Sequence, residues 1–161
     1  MADSLRSPKT TAVTALRDLM NTRVVAVTAD TSVTAAAAGM AEANVGSAVV
    51  LQGRFLHGIL TERDVLRAAA SGEDLSASVV SAWMTLDPQS ADPDTSVEDA
   101  AQIMLLNGFR HLPVVEGRTV CGVVSLRDLF AARIRRPLRR AQEQLTDPGL
   151  PGVPPARHHP Q

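Results

Sequence analysis

Apolar residues fall at Val33, Ala36, Ala37, Met40 and Ala41, and again at Val97, Ala100, Ala101, Met104 and Leu105. Both sets have the i, i+3, i+4, i+7, i+8 spacing that gathers side chains on one face of a helix. Each predicts a helix with one buried stripe. Thr95-Ser96-Val97-Glu98 has the Thr-x-x-Glu form of a capping box and predicts where the second helix opens. Asn107-Gly108 predicts where it stops. The period then changes. SAVVL (47–51) and HLPVV (111–115) are short β-rich runs, and FLHGIL (55–60) and TVCGVV (119–124) return from them across the tight turns QGR and EGR. A second helix starts after each return strand.

These elements occur twice because the sequence does. Shifted by 64 residues, the chain aligns with itself without a gap from Met20 to Asp64, with 14 identities in 45 positions. Asp30-Thr31-Ser32-Val33 falls on Asp94-Thr95-Ser96-Val97, and Arg63-Asp64 falls on Arg127-Asp128. Each copy reads strand, helix, strand, strand, helix. One such unit leaves its apolar helix face uncovered, so the second copy must cover it. Two copies are too few for a solenoid. The expectation is an α+β fold of two tandem β-α-β-β-α repeats packed about a pseudo-two-fold axis. The boundaries expected are a flexible N-terminus (1–9), repeat 1 (10–70), repeat 2 with its leading linker (71–133), and a basic, Pro-rich C-terminal tail disordered at its end (134–161). Trp83 aligns with Leu19 and is expected to anchor the chain as it enters the second copy.

Composition removes several function classes. The chain has 161 residues, is 45% hydrophobic and carries a net charge of −1, so it can bury a core and has no global field that selects nucleic acid. Aromatic residues make up 2%, which argues against a stacking platform for single strands. A single cysteine, Cys121, allows no internal disulfide and fits a reducing compartment. There is no signal-type apolar region and no run long enough for a membrane helix. The expected setting is soluble and cytoplasmic.

The phrase repeated most closely is GILTERDVL (58–66) and GVVSLRDLF (122–130). Thr61-x-x-Asp64 and Ser125-x-x-Asp128 are capping boxes on the simplest reading. That reading leaves the Arg before each Asp, and the Gly three residues before each hydroxyl, without a purpose. A helix start also presents unpaired amides and partial positive charge to a phosphate. Arg63 and Arg127 could add bidentate phosphate contacts there, and a short carboxylate could accept both hydroxyls of a ribose.

The tandem copies, the closing Gly-h-h-[Ser/Thr]-x-x-Asp in each, Leu112-Pro113-Val114-Val115, and the leading segments Asp18-Leu19-Met20 and Ala82-Trp83-Met84 together resemble the CBS-domain pair, or Bateman module. The resemblance spans roughly residues 10 to 133 and is to a stand-alone pair. It implies a regulatory, non-catalytic sensor that binds AMP, ADP, ATP, NAD or S-adenosylmethionine in a cleft between the copies. Asp64 and Asp128 would hold ribose with Thr61 and Ser125 in support. Arg63, Arg127, Arg110 and His111 would meet phosphate. The residues alone do not assign Arg110 and His111 to one cleft. The resemblance also implies a homodimer and an effector protein not written in this sequence. The alternative is a ligand-free dimerising scaffold that contacts a protein or nucleic acid through the cluster Arg133, Arg135, Arg136, Arg139 and Arg140. His57 and Cys121 hold equivalent repeat positions, but no third group orients them as a nucleophilic pair, and no His/Cys spacing suits a metal.

Overall fold

The computed structural model describes residues 14–133. The Arg-rich cluster beyond Arg133 and both terminal segments lie outside the described residues. The first copy contains β1 (Ala26–Val27), α1 (Val33–Glu42), β2 (Ser47–Gln52), β3 (Phe55–Thr61) and α2 (Glu62–Ala70). The second contains β4 (Thr85–Leu86), α3 (Val97–Asn107), β5 (His111–Glu116) and β6 (Thr119–Ser125), followed by a helix, α4, over residues 126–133. The mixed α+β class and the repeat follow the sequence reading.

Local chemistry explains the element ends. α3 stops at Gly108, which takes the left-handed conformation (φ 72°) that glycine adopts without cost. The start of α3 differs from the expected capping box by one residue. Ser96, not Thr95, is the N-cap: its hydroxyl accepts the Asp99 amide at 3.0 Å and donates to the Asp99 carboxylate at 2.7 Å. Ser32 caps α1 in the same place. The Thr95 carbonyl, one residue before the cap, accepts Leu16 N–H from the leading segment of the first copy at 3.0 Å.

That bond belongs to a larger exchange, which departs from the strand order read from the sequence. The leading segment of each copy crosses to the other. Leu16 and Arg17 donate to Thr95 and Pro93; 64 residues on, Val80 and Ser81 donate to Thr31 and Ala29. Asn21 pairs antiparallel with Val123 of β6, and Thr85 of β4 pairs antiparallel with Ile59 of β3. β4 thereby completes the first copy's sheet, whose order is β1-β2-β3-β4. Hairpin β5-β6 is extended likewise, by Asn21 on one edge and Ala91 on the other. Every one of these contacts has its partner at an offset of 64, which is a pseudo-two-fold axis expressed in hydrogen bonds.

The cores follow the exchange. Leu16, fully buried, sits in the second copy's core with Val97, Met104, Leu112 and Val124. Val80, its equivalent, sits in the first copy's core with Ala36, Met40, Val50 and Leu60. Burying one such aliphatic side chain contributes about 1.5–3 kcal/mol, so the crossing segments stabilise the copy they enter. Trp83 packs against the first copy's core and donates from Nε1 to Ser78 Oγ at 2.9 Å. It therefore anchors the chain entering the second copy, and does so on the first copy's core.

Candidate functional site

α2 begins where β3 ends, and α4 begins where β6 ends, because the hydroxyl residue of each repeated phrase is at once the last strand residue and the N-cap. Thr61 N–H and Oγ1–H both donate to Asp64 Oδ2, at 2.9 and 2.7 Å. Ser125 N–H and Oγ–H donate to Asp128 Oδ2 at 3.1 and 2.6 Å, and Asp128 N–H returns a bond to Ser125 Oγ at 3.2 Å. Both carboxylates thus turn back to cap their helices. Each does so through Oδ2. Asp64 is buried and sets Oδ1 3.6 Å from Arg67 Nη1. Asp128 is exposed.

Two clefts open at these helix starts, and the strand exchange makes each a joint product of both copies. The larger, about 890 Å³, is lined by Ser125, Arg127 and Asp128 from the second copy and by Val45, Gly46 and Ser47 from the first. The smaller, about 470 Å³, is lined by Thr61, Arg63 and Asp64 from the first copy and by Gly108 and Phe109 from the second. Arg110 and His111 line both clefts. All eight residues singled out from the sequence therefore lie on cleft walls, in two groups that share one pair.

Four charged lining residues were not singled out. Arg23 and Glu62 line the larger cleft, and Arg67 and Asp87 the smaller. The repeat alignment places Arg23 opposite Asp87, so the signal was present as a charge reversal at an equivalent position. It could not be read without knowing that the leading segments cross.

His111 sits where the copies meet. A Cβ placed on Gly46 would stand 2.8 Å from His111 Nε2 and 3.2 Å from the Glu62 carboxyl carbon. Burial pushes the His111 imidazole below the ordinary histidine value of 6.5; Arg110 acts in the same direction, and Glu62 and Asp128 oppose it. The ring is neutral near pH 7 and can both donate and accept. Cys121 Sγ is turned to the Val114 carbonyl at 3.3 Å, and His57 meets Asp87 N–H through its backbone carbonyl. Among the described residues there is no group of three or more metal-ligating side chains, and no helix is long and apolar enough to cross a membrane.

The family profile for the CBS domain matches the chain twice, over residues 16–71 and 80–135. The chain belongs to the CBS domain family. As a CBS pair it has a curated relative in Acidianus ambivalens, an uncharacterised 17.7 kDa protein, with 43% identity over 122 residues, covering 74% of this chain and 73% of the relative. Among solved structures it is similar to the CBS domain NE2398, with TM-score 0.70 and 31% identity, covering 76% of this chain and 98% of that one. The CBS domain pair of MJ0100, solved in complex with 5′-methylthioadenosine and S-adenosyl-L-methionine, gives TM-score 0.71 at 22% identity, covering 77% of this chain and 98% of that one. At that identity the likeness is one of fold.

Proposed function

We propose that this CBS pair is a regulatory module that binds adenosine nucleotides of the AMP, ADP or ATP kind, with NAD and S-adenosylmethionine as related candidates, in the clefts between its copies. One observation carries the reading: each cleft gathers a capped helix start, with its hydroxyl, Arg and Asp, against Arg110 and His111. Amides at a helix start and a guanidinium beside them are suited to phosphate. Asp64 and Asp128 would offer ribose a carboxylate oxygen, since capping occupies Oδ2 in each. The capping bonds and a ribose contact use different atoms, so the two roles are compatible. The fold's capacity for adenosyl ligands in MJ0100 supports the ligand class.

The test is thermal melting with and without AMP, ADP, ATP, NAD and S-adenosylmethionine. A ligand at 100 times its dissociation constant stabilises by about 2.7 kcal/mol. The shift should be lost in the double variant Asp64→Asn with Asp128→Asn. No shift with any ligand, or an undiminished shift in the variant, would overturn the reading.

We propose in addition that the module is a homodimer. Leu66 on α2 and Phe130 on α4 are 69% and 58% exposed and occupy equivalent repeat positions. A face that is pseudo-two-fold in itself is suited to an isologous contact with a second copy.

A further inference from the structure

We propose that the two clefts are coupled through Arg110, so that a phosphate-bearing ligand in one weakens the binding of a second in the other. The inference rests on the nucleotide reading above. Its basis is an asymmetry in an otherwise symmetric site. Gly46 and Ser47, the repeat equivalents of Arg110 and His111, line the larger cleft alone, whereas Arg110 and His111 line both. The loop that ends at His111 is therefore the wall between the clefts, and it carries one guanidinium where exact symmetry would carry two.

The position of Arg110 is set by its backbone. Its carbonyl accepts the Leu126 amide at 2.9 Å, tying residue 110 to the first turn of α4. The Gly46 carbonyl accepts the Glu62 amide at 3.1 Å in the same way, at the first turn of α2. Each loop thus stands beside one helix start and faces the other. Gly46 itself offers no side chain to an anion, so Arg23 and Arg127 are the cations that belong to the larger cleft alone, and His111 Nε2 and the Glu62 carboxylate crowd the space above the glycine.

A guanidinium held bidentate by one phosphate has its fork committed. A second phosphate in the neighbouring cleft then meets the same wall with its cation engaged and an anion already on the far side. By linkage the penalty is reciprocal, whichever cleft fills first. A ligand without phosphate makes no claim on Arg110 and escapes it.

The test is isothermal titration of the full chain with ADP and, separately, with adenosine. Wild type is compared with Asp64→Asn and with Asp128→Asn, each of which weakens one cleft. The expected result is that the cleft filled second in wild type binds ADP at least about 5-fold more tightly when measured alone in the single variant. Adenosine should show no such difference. Arg110→Ala, an exposed position, should narrow the gap between the two ADP steps, and this arm does not depend on the Asn variants folding. ADP filling both clefts with the affinities each shows alone, a single ADP site in every variant, or an unchanged gap in Arg110→Ala would overturn the coupling and leave the nucleotide reading standing. Absence of both ADP and adenosine binding would instead strike the nucleotide reading itself.

Discussion

Met20 packs on Gly122 of the other copy: a Cβ on that glycine would stand 2.8 Å from Met20 Sδ and 3.1 Å from the Asn21 carbonyl. Met84 packs on Gly58 in the mirrored contact, with 2.7 Å to Sδ and 3.0 Å to the Thr85 carbonyl. The thioether can move aside, but the backbone carbonyl can do so only with its strand. Gly58→Ala and Gly122→Ala should each destabilise by about 1–3 kcal/mol, as overpacking does. Urea denaturation checks this, and a neutral result at both sites would contradict the close approach.

Leu16 lies in the leading segment of the first copy and is buried in the second copy's core. Leu16→Ala should cost about 2–5 kcal/mol. Its location gives a sharper readout than its size. Amide exchange should accelerate first in β5 and β6, not in β2 and β3. Accelerated exchange confined to the first copy would contradict the crossing.

His111 has its imidazole pushed below the ordinary value by burial. The unfolded chain then binds a proton at this residue more readily than the folded chain. The contribution to stability is complete above about pH 6.5 and is lost as pH falls from there toward the lowered folded value. His111→Gln should flatten that part of the stability profile. An unchanged slope below pH 6.5 would show that the ring is as free to charge in the fold as in the unfolded chain.

Asp64 and Asp128 cap their helices through the same two bonds. Replacing either with Ala should cost about 0.5–2 kcal/mol in the absence of any ligand. The loss at Asp64 should be the larger, because Asp64 is buried and Asp128 is exposed, so water can serve the freed Ser125 groups. Equal losses would remove burial as the distinguishing cause.

Leu66→Asp combined with Phe130→Asp should halve the mass measured by light scattering if a second copy covers those residues. A wild-type mass equal to one chain would remove the homodimer.

The sequence by itself determined what is local. The helical stripes, the turn residues, the repeat at 64 and the closing phrase each depend on neighbours within a few positions, and the elements fell within a residue or two of their expected places. The eight candidate residues were found because Gly, hydroxyl, Arg and Asp recur at fixed spacing. What only the tertiary structure decided is which copy each segment serves. Met20 and Met84 stand in the same local grammar, as do Gly58 and Gly122, so the sequence offers two equivalent pairings and no local reason to choose. The exchanged pairing emerges once both copies fold together, because each leading segment then completes the other's sheet and core. The same degeneracy hid the place of Arg110 and His111. They lie on the wall between the clefts because their loop stands beside one helix start and faces the other.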